Sequence, residues 1–375
     1  MRSKALRFLL RIITGAVFIF SGTVKAIDPM GSAFKFSDYF SAFGFDFLQP
    51  LSLPLSIILS IILCLAEFIS GFAVLSGIRY REGLFGIMIL MAIFTPLTLV
   101  LAIFNPVTDC GCFGDAIKLT NWQTFGKNIL LSAFILILFF DRNKPYGYSI
   151  NTPTRGWLTI TAVSFIFLGF TFYNLIYLPV IDFLPYKTGN NLKELMTIPE
   201  GAPAPVFKTT FIYEKNGIRK EFSLDDYPAN DTTWKFIDQK SVIIKKGYEP
   251  PVHDFTIITT EGHDITDSVL NNQGYTLLMI SRKLEQAKAG RIEKGFETGR
   301  KCITNGIDFY ILTSSETEKI KKYENGLKFC LADETTLKTM VRNNPGYIML
   351  KNGVITGKWS WANLPDDIEK LIKPK

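Results

Sequence analysis

Histidine is almost missing from this chain: His253 and His263 are the only two, ten residues apart, and neither has a cysteine or second histidine at ligand spacing. A metal centre built on imidazole and thiolate is therefore not expected. Equally missing are the phosphate-cradling G-x-x-x-x-G-K-[ST], the dinucleotide G-x-G-x-x-G, the zinc-protease H-E-x-x-H and the G-x-S-x-G nucleophile turn. No stripe of Lys and Arg interleaved with aromatics is present. The net charge of +7 reads more simply as basic residues flanking a membrane than as nucleic-acid binding. Cysteine is scarce as well. The chain has five, Cys64, Cys110, Cys112, Cys302 and Cys330, with no C-x-x-C among them.

Apolar residues are what the chain has in excess: 47% of 375 residues, including 32 Phe, with a mean hydropathy of +0.20. The excess lies before residue 180. Long apolar runs there predict membrane spans, because about 20 helical residues cross a hydrocarbon core. Five can be drawn, at 5–24, 54–76, 84–104, 125–140 and 157–178. After residue 180 the composition is that of a soluble domain. The predicted divisions are a four-span region over 1–147, a cytoplasmic link and fifth span over 148–180, a β-rich connector over 181–250 and a soluble α/β domain over 251–375.

Orientation follows from the basic residues. Arg2, Lys4, Arg7, Arg11, Arg79, Arg81, Arg142, Lys144 and Arg155 fall on one side, whereas the opposite loops carry only Lys25, Lys35, Lys118 and Lys127. The N-terminus is thus expected in the cytoplasm of a bacterium, the chain in its inner membrane, and the soluble domain in the periplasm. A competing reading makes residues 1–26 a signal peptide cleaved after Val24-Lys25-Ala26. It leaves the later loops on the same side. That side permits disulfides, and every cysteine except Cys64 lands there.

Cys110-Gly111-Cys112-Phe113-Gly114 lies in a short polar loop between the third and fourth spans. Two thiols one residue apart can close a tight, easily reduced disulfide, and Gly111 permits the backbone that such a ring needs. The alternatives are a structural staple, inert thiols or a metal site. Asp109 and Asp115 are poor co-ligands for the last. Glu67 falls halfway along the second span, where an ionisable side chain is costly without a partner. Proton transfer and contact with a quinone head group are its functional readings; a hydrogen bond to a neighbouring helix is the plain one. Lys25 and Asp28 are its candidate partners. Cys64, one turn before Glu67, reads as a small apolar filler or a third redox thiol.

These residues carry a resemblance. Phe20-Ser21-Gly22 through Lys25, Glu67 followed by Gly71, the CGCFG loop, Trp122 and Lys127-Asn128 make the first ~145 residues similar to the DoxX/MauE group of four-span membrane proteins, nearer MauE. The resemblance implies a redox-associated protein. MauE proteins are implicated in methylamine utilisation, with a thioredoxin-like partner, in forming disulfides in a periplasmic dehydrogenase. DoxX relatives are linked to thiosulfate–quinone oxidoreduction.

In the connector, Val206–Tyr213 and Lys220–Leu224 read as a hairpin across Asn216-Gly217. Beyond it come a strand at Tyr275–Ser281, a helix at Leu284–Asn305, a strand at Ile307–Ser315, helices at Glu316–Asn325 and Glu334–Arg342, a hairpin of Tyr347–Leu350 and Val354–Trp359, and a helix at Pro365–Lys373. That order resembles a thioredoxin fold. Pro345 stands where thioredoxins keep a cis-proline facing the active site. Pro250–Phe255, with the turn at Gly262, resembles the opening strand of the TlpA/peroxiredoxin branch. The C-x-x-C of active members is replaced by Ser281-Arg282-Lys283-Leu284, so standard dithiol exchange is excluded. Cys302 and Cys330 read as buried fillers, a structural disulfide or a relocated redox pair.

The leading expectation is a membrane protein in which Cys110 and Cys112 exchange disulfides with a periplasmic partner protein. Electrons would pass to a quinone or another dithiol protein, and the fused domain would hold the partner near the loop. Two rivals stay open: a non-catalytic assembly scaffold stapled by the C-x-C, and a quinone-linked subunit in which Glu67 carries the function.

Overall fold

The computed structural model describes residues 4–45, 47, 49–107, 109–142, 153–224, 226–228, 231–245, 247–323 and 326–372. Six helices precede the soluble part: α1 (Lys4–Ile27), α2 (Pro29–Ala42), α3 (Gln49–Ser76), α4 (Tyr80–Phe104), α5 (Asn121–Phe140) and α6 (Pro153–Ile176). All but α2 are long and apolar enough to cross a membrane, making this a multi-pass membrane protein. Each begins slightly before its apolar run. The polar start of α5 is accommodated because Thr120 and Gln123 form a reciprocal capping box. Its Asn121 and Asn128 turn inward, donating to Asn105 Oδ1 (2.8 Å) and Thr98 Oγ1 (3.1 Å). The link drawn at 148–156 lies outside the described residues as far as 152.

Helix α3 is central, packing on α1, α2, α4 and α6. Its contact with α1 is close because glycines line it. A Cβ on Gly22 would come within 2.7 Å of the Cys64 carbonyl and the Phe68 amide, and one on Gly71 within 2.7 Å of the Ile19 amide. Backbone cannot yield as a flexible side chain can. Gly22→Val is therefore expected to cost about 1–3 kcal/mol, the usual range for overpacking, read as a lower melting temperature in detergent.

The two ends of the bundle differ. At one, Arg11 donates to the carbonyls of Val74 (2.6 Å) and Leu75 (2.9 Å), and Arg79 stacks 4.4 Å over Trp157. The other end carries α2 and the cysteine loop. Helix α2 is absent from the sequence reading above. Its start follows a familiar pattern: the Asp28 side chain accepts from the Gly31 amide, with Pro29 in the first turn.

Two compact units result: residues 1–189 together with 256–375, and residues 190–255. The second holds a short helix α7 (Leu192–Met196) and three antiparallel strands, β1 (Val206–Lys215), β2 (Ile218–Ser223) and β3 (Lys235–Lys245), in the order β2-β1-β3. Asn216 and Gly217 turn the hairpin with φ of 51° and 79°. The third strand was not anticipated, since Lys235–Lys245 alternates only weakly.

The remainder of the first unit is a six-stranded sheet ordered β4-β7-β6-β5-β8-β9. The strands are β4 (Ile258–Thr259), β5 (Tyr275–Ile280), β6 (Asp308–Thr313), β7 (Lys328–Leu331), β8 (Gly346–Lys351) and β9 (Val354–Ser360). Between them run α8 (Thr266–Leu270), α9 (Ala289–Thr304), α10 (Thr317–Ile320), α11 (Glu334–Met340) and, last, α12 (Ile368–Ile372). Parallel β5-β6-β7 joined to an antiparallel β8-β9 hairpin, with the Asn344–Pro345 bond cis just before β8, is a thioredoxin-like fold.

Three details differ from expectation. No strand spans Pro250–Phe255; the strand lies later, at Ile258–Thr259, before the Gly262 turn. The predicted helix from Leu284 is broken into a 3₁₀ turn at Leu284–Gln286 and α9, because Leu284 is buried and its amide donates to Ser315 Oγ (2.9 Å). The helix drawn at Glu316–Asn325 is only α10 and a 3₁₀ turn at Lys321–Tyr323, and Asn325 lies outside the described residues.

Candidate functional site

The cysteine loop folds back over the C-terminal end of α1, over α2 and toward Glu67 of α3. Gly111 and Gly114 have φ of 65° and 52°, left-handed values that glycine adopts without strain. Cys110 Sγ and Cys112 Sγ lie 3.2 Å apart as half-buried free thiols. One hydrogen bond joins them, and it splits their acidities. Cys112 is held down to about 6, first by the bond it accepts from Cys110 and then by Lys127 and Lys25, against the cost of burial. Cys110 is pushed up by the same bond and then by burial.

Glu67 meets Lys25 beneath the loop. Lys25 Nζ is 2.8 Å from Glu67 Oε2, with both side chains at most 5% exposed. Its other protons go to Ser21 Oγ (2.7 Å) and the Cys112 carbonyl (2.5 Å), so the buried ammonium is fully satisfied. Ser21 Oγ lies 2.9 Å from Glu67 Oε2 and 2.8 Å from that same carbonyl. The intramembrane carboxylate is thereby tied through Lys25 and Ser21 to the backbone of the redox candidate. Asp28 faces elsewhere: its partner is Arg342, not Glu67.

The loop is held along its length. Tyr39 donates to the Cys110 carbonyl (2.7 Å), Lys35 pairs with Asp109 (2.8 Å), and Asp109 accepts from the Gly111 amide (3.0 Å). Phe113 contacts Phe20 edge-on and lies 4.5 Å from Lys127 Nζ. Between α2, α3 and α4 an apolar cleft of about 480 Å³, open mouth included, reaches both cysteines, Lys25 and Glu67. Phe36, Leu63, Phe94 and Leu97 line it. Tyr39 and Ser21 escaped the sequence reading. Ser21 was quoted only as part of the resemblance, although it stands one turn before Lys25.

The other cysteines stand apart. Cys64 is buried against Ala26 and Phe167, with its thiol 3.2 Å from the Ile61 carbonyl of its own helix. Cys302 and Cys330 are buried and free, so the disulfide weighed for them is not formed. Burial pushes both thiols up to about 11, away from thiolate chemistry.

The connection from β5 to α9, Ser281–Lys288, contains no cysteine. Ser281 Oγ instead lies 2.9 Å from Asn344 Oδ1, and Asn344 Nδ2 donates to the Lys283 carbonyl (3.1 Å). The cis-proline edge then turns toward the chain's own membrane region. Arg342 pairs with Asp28 (2.7 Å) and Asp115 (2.5 Å), and Asn343 donates to the Leu175 and Ile176 carbonyls. The cis-proline edge is thus taken up within the chain.

Residues 3–141 match the family model of the methylamine utilisation protein MauE. The membrane region is MauE-like. The match encloses the cysteine loop, Lys25 and Glu67. Residues 207–246, spanning β1 to β3, match a family described as a domain of unknown function, DUF8463. No curated protein matches the chain. Among solved structures, a solution structure of a candidate protein disulfide isomerase from Bacteroides thetaiotaomicron is similar, at 21% identity and a TM-score of 0.24, over 30% of this chain and 77% of that one.

Proposed function

We propose that this MauE-like membrane protein exchanges thiols for disulfides with an extracytoplasmic partner protein through Cys110 and Cys112. One observation supports this above others: two thiols in contact whose acidities are driven apart over a buried Lys25–Glu67 pair. The basic residues support placing the loop on the periplasmic face of a bacterial inner membrane.

The chemistry runs as follows. With the pair oxidised, a partner thiolate attacks Cys110 Sγ. The Cys110–Cys112 bond breaks, and Cys112 departs as the more stable thiolate, since the thiol of lower pKa leaves faster. A mixed disulfide now joins Cys110 to the partner. The partner's second thiolate attacks its own sulfur in that bond, and Cys110 is released and protonated. Two electrons have passed from the partner's dithiol to the pair. Re-forming the Cys110–Cys112 disulfide then requires an acceptor of two electrons and two protons, either another dithiol protein's disulfide or a quinone. The cleft's apolar lining suits a quinone ring. A quinone bound there would supply that acceptor capacity. Lys25 and Tyr39 would orient it, and Glu67 with Lys25 would hold the proton nearby.

Cys112→Ser tests the exchange. With no disulfide of its own, Cys110 in this variant forms the adduct by attacking the disulfide of an oxidised partner, which releases one partner thiol. No Cys112 is left to reverse it, so the partner should accumulate on Cys110 as a reductant-sensitive adduct in membranes, while protein level stays at wild type. An absent adduct together with a reduced level favours the scaffold reading, in which the pair is a staple.

A further inference from the structure

Arg342 stands two residues past α11 and three before the cis-proline, and is 7% exposed. Its Nε and Nη2 both reach Asp28 Oδ2, at 2.8 and 2.7 Å, and Nη2 also reaches Asp115 Oδ2 at 2.5 Å. Nη1 donates to the Lys338 carbonyl (2.9 Å). Burial works against the charge, but Asp28 and then Asp115 outweigh it and raise its pKa. The two carboxylates are not arbitrary ones. Asp28 caps α2 and sits three residues past Lys25, while Asp115 sits three residues past Cys112. Beside this cluster, Phe34 of α2 lies under Arg282 (4.6 Å), which belongs to the segment where a thioredoxin dithiol would stand. A second ion pair, Lys358 with Asp182 (2.5 Å), joins β9 to the segment after α6 without touching the cysteine loop.

We propose that Arg342 is a positioning residue for the cysteine pair: the cis-proline loop of the dithiol-free domain clamps Asp115, three residues past Cys112, to Asp28, fixing the far end of the loop and pairing its carboxylate. The membrane region alone holds the loop from Asp109 to Phe113. Arg342 closes the remaining stretch. The groups that face the pair are Tyr39 from α2, Lys25 from α1, Glu67 from α3 and Lys127 from α5, with the Lys35–Asp109 ion pair beside them. Against that set, an unpaired Asp115 adds one negative charge three residues past Cys112. A domain that lost its own dithiol thus acts on another dithiol in the same chain. This rests on the loop being the reactive part, yet it is read without any partner protein.

The test uses the full chain in lipid nanodiscs, reduced, with two readouts by mass spectrometry: amide hydrogen exchange over 109–116, and the pH profile of Cys112 alkylation. Arg342→Gln should speed exchange by about tenfold and move the alkylation midpoint upward by on the order of half a pH unit. Arg342→Gln with Asp115→Asn should keep the faster exchange and return the midpoint to wild type. Lys358→Gln, which removes the other ion pair, should change neither. If Arg342→Gln fails to accumulate, Asp115→Asn alone must still speed exchange over 109–116. Unchanged exchange and midpoint in Arg342→Gln, or the same changes in Lys358→Gln, overturn the proposal. Failure of the exchange reading looks different: Cys112→Ser traps nothing while Arg342→Gln still alters the loop.

Discussion

Replacing Glu67 with alanine is expected to destabilise the protein by about 3–5 kcal/mol, because removing one partner of a buried pair leaves the other charge uncompensated. Lys25 would remain at 5% exposure with only neutral acceptors, Ser21 Oγ and the Cys112 carbonyl. Removing both charges, with Lys25→Met and Glu67→Leu together, should restore most of the stability, as apolar replacements of buried pairs commonly do. It should not restore the loop, since the Cys112 carbonyl loses its closest donor. Stability and thiol chemistry then separate. Thermal unfolding in detergent reads the first, and the alkylation midpoint of Cys112 reads the second. A double variant as stable as wild type with an unchanged midpoint would show that Lys25 and Glu67 serve only the fold.

The second large effect is the pH profile itself. Cys112 has its pKa lowered to about 6, so it is a thiolate above that pH and its reactivity falls as pH drops through 6. Cys110 is raised and should stay unreactive across the neutral range. The absolute rate is a poor readout. At neutral pH the thiolate fraction of Cys112 gains about thirtyfold over an ordinary thiol. Its lower intrinsic nucleophilicity gives back roughly ten- to twentyfold over about two and a half pKa units. The midpoint carries the information. Cys110→Ala removes the first cause of the lowering and should raise the Cys112 midpoint by on the order of one unit. A midpoint near 9 in the unmodified protein would mean the two sulfurs do not share a hydrogen bond.

Much of this arrangement is legible in the chain, and the gaps have physical causes. The five spans follow from apolar length alone. Glu67 in mid-span demanded a partner, and Lys25 was one of two within reach; a single-span offset separates them from each other in sequence but not in space. Gly111 between the cysteines announced the left-handed turn. Helix α2 escaped notice because its apolar residues, Phe34, Phe36 and Phe40, make only a weak stripe, although Asp28-Pro29 is a start signal. Tyr39 was hidden with it. Arg342 had no local signature at all. It stands 314 residues from Asp28, and a buried arginine is recognisable only once its carboxylates are placed. The missing C-x-x-C was plain in the sequence. What it could not convey is that the vacated edge would face the chain's own membrane helices.

The redox state of Cys110 and Cys112 in intact cells tests the central claim most directly. Differential thiol trapping with mass spectrometry would measure the oxidised fraction before and after a brief pulse of mild reductant. An exchanging pair should be a mixed population that becomes reduced in the pulse and re-oxidises once the reductant is removed. A pair that is fully oxidised and unmoved by the pulse contradicts the account and makes the C-x-C a structural staple.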